Sequence, residues 1–344
     1  MPPSNNQSKG LIRIWQGCGL LAWLLLPVGW LFFILVALRR QAFHYGLLKV
    51  ERLDVPVVVV GNIVAGGAGK TPLTLWLVQR LRAAGRRPGI VSRGYGRAGD
   101  EVRKVGAGMT ASEAGDEPLL LARRAACPVF VGADRVAAAR ALLAEYPECD
   151  LILCDDGLQH YRLGRDVEIA VVDQRGVLNG WPLPAGPLRE PVSRLRQVTA
   201  LVLNDTSYPA APVVPTFAMR LEGRRFYRLD DPQLICSADD LAGLKLHAVA
   251  GIGAPQRFFD HLAQLGVRCT PHAYPDHHQY TAADLAFDGH AILTTEKDAL
   301  KCAGLTALPI WVLPVDAIVE PDLARFILDI LDTLEIIADG PAPA

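Results

Sequence analysis

The stretch that most limits how this chain can fold is GNIVAGGAGKTP at residues 61–72, which follows the apolar run Val55–Val60. A buried strand, a glycine-rich turn and then an amphipathic helix form the setting of a phosphate-binding loop. Such a loop commits the chain to a sheet, because the strand must be covered and the helix must aim its free N–H groups at an anion. Backbone amides of Gly66, Gly67, Ala68 and Gly69 are then expected to wrap phosphates. Lys70 would reach the β- and γ-phosphates, the Thr71 hydroxyl would bind Mg²⁺, and Pro72 would open the helix where no amide donor is needed. One position departs from G-x-x-x-x-G-K-[ST]: the first glycine should fall at 64, and valine stands there. A strand–helix turn carrying a chance G-K-T is the bland alternative.

The rest of the chain past residue 50 alternates short apolar runs with helical stretches. Strands are expected at Val55–Val60, Gly89–Ser92, Leu151–Cys154, Val167–Val172, Ala200–Leu203, His247–Ala250, Ala291–Thr295 and Ile310–Leu313. Near-continuous apolar runs suit strands covered on both faces, and their alternation with helices implies α/β layers with mainly parallel sheets. The segment DLILCDD at 150–156 is an apolar strand ending in two carboxylates, the shape of a strand whose tip helps to hold Mg²⁺ beside a phosphate loop. Asp155 and Asp156 are therefore candidate metal-site residues. Residues 204–232, rich in proline and polar side chains, read as a linker between two α/β units, with extended strands as the alternative. The G-I-G at 251–253 reads as a tight strand–helix turn.

The N-terminal region has a different character. Cys18–Leu38 carries no charged residue. As a helix it would be roughly 31 Å long, near the thickness of a bilayer core. Arg39, Arg40, Lys49 and Arg52 follow it and Lys9 and Arg13 precede it, a bias that favours a cytoplasmic location for what lies downstream. A cleaved signal peptide fits less well, since two arginines stand where a small-x-small cleavage site belongs. A buried core helix is the other alternative. A net charge of −1 argues against a nucleic-acid partner. The cysteines show no C-x-x-C spacing, which argues against a zinc ribbon or disulfide framework.

GNIVAGGAGKTP, VSRGYGR (91–97), AGDEPLLLARR (114–124), VGADR (131–135), DDGLQH (155–160), PAGPLREP (184–191), AGIGAPQRFF (250–259), PDHHQY (275–280) and TEKDALK (295–301) together resemble the tetraacyldisaccharide 4′-kinase family, the lipid A kinases. They keep one order over nearly the whole chain, and in that family the position of Val64 is also usually not glycine. The resemblance implies an ATP- and Mg²⁺-dependent transfer of phosphate to the 4′-hydroxyl of an acylated disaccharide 1-phosphate lipid. The product would be the bisphosphorylated lipid A precursor of lipopolysaccharide synthesis. It implies two α/β/α domains: a membrane helix over 1–40, a P-loop NTPase-like kinase domain over 41–215, and a second α/β domain over 216–344 completing a cleft. It also implies a monomer at the cytoplasmic face of a bacterial inner membrane.

Residue roles follow from the same matches. Asp116 is the implied catalytic base, with His277 its partner and His278 the alternative. Lys70 and Arg135 would act on phosphate or the transition state. Gln159, His160 and Glu190 would line the nucleotide site beside the loop, with Arg189 a further active-site group. Arg93 would handle phosphate, and Glu296, Lys297 and Asp298 would contact nucleotide. From the residues alone, Asp116 could equally cap the helix that follows it, and His277 and His278 could be surface turn residues. Two other functions compete. A membrane-associated GTPase or ATPase would need an N-K-x-D-type motif, which TEKD approximates only loosely, and a non-enzymatic anchor would not need an intact G-K-T with an Asp pair.

Overall fold

A computed structural model describes residues 14–106, 108–208 and 213–339. In chain order the first strands are β1 (Val57–Gly61), β2 (Pro88–Ser92), β3 (Arg103–Lys104), β4 (Val129–Val131), β5 (Leu151–Asp155), β6 (Val167–Asp173), β7 (Ala200–Asn204) and β8 (Thr216–Glu222). They continue with β9 (Phe226–Arg228), β10 (Ile235–Cys236), β11 (Leu246–Ala250), β12 (Thr270–Ala273), β13 (Ala291–Thr295), β14 (Ile310–Leu313) and β15 (Asp316–Val319). A nine-stranded sheet runs β15-β8-β7-β6-β1-β5-β2-β4-β3, and a six-stranded sheet runs β10-β9-β14-β13-β11-β12. The large sheet is parallel except at its edges, where β15 and β3 pair antiparallel. In the small sheet β14, β13, β11 and β12 are parallel. The strand VVVVG of β1 is buried at every position, as a central strand covered on both faces requires.

The helices are α1 (Leu20–His44), α2 (Lys70–Ala83), α3 (Ala111–Ala114), α4 (Asp116–Arg124), α5 (Arg135–Glu145), α6 (Pro255–Gln264), α7 (Glu296–Cys302) and α8 (Asp322–Asp339). One face of the large sheet packs on Leu73 and Leu77 of α2, Leu119 of α4 and Leu323 and Ile327 of α8. Val136, Ala139 and Leu142 of α5 cover the other. The small sheet is sandwiched likewise, by Phe258 and Leu262 of α6 and by Ala299 and Cys302 of α7.

The sheets divide the chain differently from the expected 215/216 boundary. β8 and β15 flank the small sheet in sequence, yet both join the large one. The chain leaves at Gly223 and returns just after Pro314, and the two passes lie so close that a Cβ on Gly223 would sit 2.4 Å from the Pro314 carbonyl. The expected linker at 204–232 thus supplies β8 and β9. The extended alternative is the one that forms, and the sequence could not decide it because β8 is half-buried and carries no continuous apolar run.

Among the described residues, α1 is the one helix long and apolar enough to cross a membrane by length and composition. It does not stand free of the body. Ala22 and Gly29 are its buried residues, and Gly29 lies where a Cβ would meet Pro182 at 2.9 Å. Trp23 meets Trp181 edge-on at 4.9 Å, and Phe33 packs near Val64 and Leu188. The opposite face, with Leu20, Leu24, Leu31, Leu35 and Leu38, is more than half exposed. An apolar stripe of that length facing outward suits a lipid surface.

Val64 now has a structural account. It is 6% exposed, forms an antiparallel bridge with Leu188, and packs with Ile63, Leu158 and Phe33. The left-handed backbone falls later, at Gly66 (φ 98°) and Gly69 (φ 96°). Restoring the generic pattern with Val64→Gly is therefore expected to cost stability, about 2 kcal/mol from the lost buried side chain and added backbone freedom. Chemical denaturation of the two proteins measures this, and a variant as stable as its parent would contradict it.

Candidate active site

β1 and β5 are parallel neighbours with Val60 opposite Asp155. Their carboxyl ends therefore open side by side, where ligands gather in open α/β sheets. The loop leaves β1 and α2 begins at Lys70, with left-handed Gly69 as its N-cap. Lys70 is 8% exposed. Its Nζ lies 3.5 Å from Asp156 Oδ1 and donates to Asn62 Oδ1 at 3.4 Å. Arg189 Nη1 lies 3.1 Å from both carboxylate oxygens of Asp156. Burial alone would raise the Asp156 pKa, but Lys70 and Arg189 hold it below the usual carboxylate range.

Asp155 has the opposite balance. Burial, then Glu117 and Asp156, push its pKa up to about 7. Thr74 Oγ1 donates to its Oδ1 at 3.2 Å, while its buried Oδ2 has no partner. An orphaned carboxylate oxygen beside a second carboxylate offers hard oxygen donors that suit Mg²⁺, and Thr71 follows Lys70 in the first turn of α2. Among the described residues no cluster of three or more His, Cys, Asp or Glu could hold a metal. A cation here would take its other ligands from phosphates and water, which is how Mg²⁺ is usually bound.

A second group of residues forms where the two sheets meet. Gly115 (φ 91°) is the N-cap of α4 and packs against Gly94 in the SRGYGR turn, 3.1 Å from where its Cβ would be. Asp116 follows it and is 4% exposed. Its side chain does not cap the helix. Asp116 Oδ2 instead bonds His277 Nδ1 at 2.9 Å and accepts from Lys301 Nζ at 3.4 Å. Burial works to raise the Asp116 pKa, and His277, Lys301 and Lys297 outweigh it, so the net shift is downward. His277 adopts φ 61°, uncommon for a non-glycine residue, and Tyr95 lies beside its ring at 5.5 Å. His278 turns away to Asp284 at 3.3 Å. Glu117, next to Asp116, adds to the upward shift of the Asp155 pKa.

The remaining expected residues occupy more varied positions. Arg135 opens α5, is 5% exposed, and donates to Gly132 and Ala133 carbonyls at 3.3 and 2.9 Å, with its Nε unpartnered. Gln159 Nε2 donates to Asn62 O at 2.9 Å and Glu190 Oε2 at 3.1 Å. Burial, with Arg135 and Arg165 nearby, lowers the His160 pKa to about 4, so its ring is neutral near pH 7. Glu190 is fully buried, bonded by Gln159 and Tyr161, with Arg194 at 3.9 Å. Glu296 meets Arg124, Lys297 meets Asp276, and Asp298 accepts from Gly251 N and Thr295. Sequence reasoning missed Lys301, Thr74, Arg175 and Asn204. For Lys301 a signal existed: it lies three residues after Asp298 on one helix, an ion-pair spacing, and the pair forms at 3.3 Å.

The chain matches the family model described as tetraacyldisaccharide-1-P 4′-kinase over residues 21–332. It is 56% identical to the tetraacyldisaccharide 4′-kinase of Dechloromonas aromatica over 313 residues, 89% of this chain and 92% of that one. It is 52% identical to the enzyme of the same name from Aromatoleum aromaticum over 320 residues, 92% of this chain and 95% of that one. Among solved structures it is similar to LpxK from Aquifex aeolicus in complex with ATP, with a TM-score of 0.77 and 30% identity, covering 91% of this chain and 100% of the other.

Proposed function

The chain belongs to the tetraacyldisaccharide-1-P 4′-kinase family, and from that premise we propose how its residues divide the reaction. It is an ATP-dependent lipid kinase of lipid A biosynthesis, phosphorylating the 4′-hydroxyl of tetraacyldisaccharide 1-phosphate. The amides of Gly66, Gly67, Ala68 and Gly69 would cradle the ATP phosphates, and Lys70 would follow charge onto the γ-phosphate and leaving oxygen. Thr71, Asp155 and Asp156 would hold Mg²⁺, which supplies charge neutralisation between the phosphates. Arg189 would keep Asp156 ionised and aimed.

The observation that carries the acceptor side is the bond between Asp116 and His277, which reaches from the large sheet's helix to a loop of the small sheet. Both His277 and Lys301 bond Oδ2, leaving Oδ1 for the acceptor hydroxyl. The hydroxyl O–H breaks as its oxygen bonds phosphorus, the proton passes to Asp116, and ADP departs. A carboxylate with a lowered pKa is a weak base, and that suits a transfer in which the proton leaves late. His277 would orient the carboxylate and relay the proton. Arg135 and Arg93 are assigned to the developing phosphate charge, and Gln159 and His160 to the wall of the nucleotide site. We assign residues 223–315 as the second unit of the cleft. The exposed apolar face of α1 would rest in the membrane holding the four acyl chains, with the site on the cytoplasmic side.

Transfer of ³²P from ATP to the disaccharide 1-phosphate in mixed micelles tests this reading. Labelled lipid is expected, and nucleotide hydrolysis without it would sink the kinase assignment. A GTPase is disfavoured because TEKD matches N-K-x-D only loosely and its Asp298 is fully buried, bonded by Gly251 N and Thr295.

A further inference from the structure

A loop that turns its amides toward a phosphate must turn its carbonyls away, and those carbonyls need partners of their own. Here four consecutive ones are occupied by side chains. Arg175 Nη1 donates to Ala65 O at 3.3 Å and its Nη2 to Gly67 O at 2.9 Å. Asn62 Nδ2 donates to Gly66 O at 3.2 Å, and Asn204 Nδ2 to Ala68 O at 3.0 Å. The three residues come from the ends of three neighbouring strands, β1, β6 and β7. Asn62 and Asn204 are buried at 0% and 4% exposure.

The brace is itself anchored. Asp173, the last residue of β6 and 3% exposed, takes Arg175 Nε at 2.8 Å and Arg257 Nη1 at 3.2 Å. Arg257 lies on α6 of the small sheet. The loop glycines fit the brace as well as the turn. A Cβ on Gly66 would stand 2.7 Å from Arg175 Nη1, and one on Gly69 would stand 2.8 Å from Asn204 Nδ2. Without donors outside, glycine-rich peptide units rotate easily and lose their inward amides.

We propose that Asn62, Arg175 and Asn204 are positioning residues that hold the phosphate loop with its carbonyls outward and its amides converged on the nucleotide's phosphates, with Asp173 tying this brace to the second unit through Arg257. The proposal rests on the loop being the nucleotide site. Its effect falls on phosphate binding and leaves the acceptor side alone.

The test compares full-length protein with Arg175→Met and Asn204→Ala. Three quantities are read: ADP dissociation constant by calorimetry, KM for the lipid acceptor, and the thermal midpoint without nucleotide. Each variant loses donors to loop carbonyls, so ADP affinity is expected to fall about tenfold. The acceptor KM should stay within about twofold and the nucleotide-free midpoint should hold. Arg175→Lys is expected to recover little, since one ammonium lacks the fork that meets two carbonyls and Asp173 together. Unchanged ADP affinity in both variants, or losses that track a fallen midpoint, would overturn the proposal. A parent protein that fails to bind ADP would instead overturn the nucleotide-site reading.

Discussion

Asp116→Asn is expected to lower turnover by about 10³-fold, within the range removed with a general base, while leaving the ATP dissociation constant within about twofold. The asparagine keeps the shape of the side chain but loses the charge that we propose takes the proton. Its partners are His277 and Lys301, neither of them on the phosphate loop, so nucleotide binding has no direct reason to change. The fold should also survive, because buried Lys301 retains Asp298 at 3.3 Å. His277→Ala should cost less than Asp116→Asn, since it removes the partner and not the base. The double variant should be little worse than Asp116→Asn alone, as expected of residues that act as a unit. Single-turnover rates at saturating ATP, with ATP affinity measured in parallel, separate the effects. Full turnover in Asp116→Asn would remove it from the mechanism.

The acidity of the site sets a direction for pH as well. The Asp116 pKa lies below the usual carboxylate range. Activity that depends on its ionised form should therefore persist into mildly acidic solution and fail only as pH drops through that lowered value. The stability it contributes has the same sign, present above the ordinary carboxylate pKa and lost as pH falls through the folded one.

How much of this was legible in the sequence depended on whether the signal was local. The strand–loop–helix unit at 57–83 is local, so its pattern specified its structure. The apolar runs of β5, β6, β7, β11, β13 and β14 are short and buried on both faces, and each lies within a residue or two of its expected place. β8 and β9 stayed undecided between linker and strand because a half-buried strand near a sheet edge shows neither a solid apolar run nor clean alternation. The crossing back at β15 escaped because no residue pattern announces which sheet a short strand will join. Asp116 and His277 are 161 residues apart, so their pairing could come only from family resemblance. The choice between His277 and His278 depended on a left-handed backbone at His277 and on Asp284 engaging His278. The outer brace of the loop was invisible for a different reason. An asparagine at a strand end has many structural uses, and only the fold brings Asn62, Arg175 and Asn204 onto consecutive carbonyls.

Lys70→Met should have an effect of similar size by a different route. Lys70 is nearly buried and already aimed, with Asn62 Oδ1 at 3.4 Å and Asp156 Oδ1 at 3.5 Å around its ammonium. A charge fixed before the reaction needs no reorganisation as negative charge builds between the β- and γ-phosphates. Removing one such preorganised group costs about 10²–10³ in rate, or about 2.7–4 kcal/mol. Methionine fills similar volume, so the loop need not collapse. The loss has a second component, since Lys70 also relieves the charge on Asp155 and Asp156. Without it Asp155 gives up its proton less readily, and the variant should require a higher Mg²⁺ concentration for half-maximal rate. Lys70→Arg should fare poorly too, because a planar guanidinium cannot occupy the compact position between Asn62 and Asp156. Initial rates across ATP and Mg²⁺ concentrations give both readouts. Retention of more than about a tenth of the parent kcat/KM in Lys70→Met would show that the developing charge is met elsewhere, with Arg189 and Arg135 the next groups to replace.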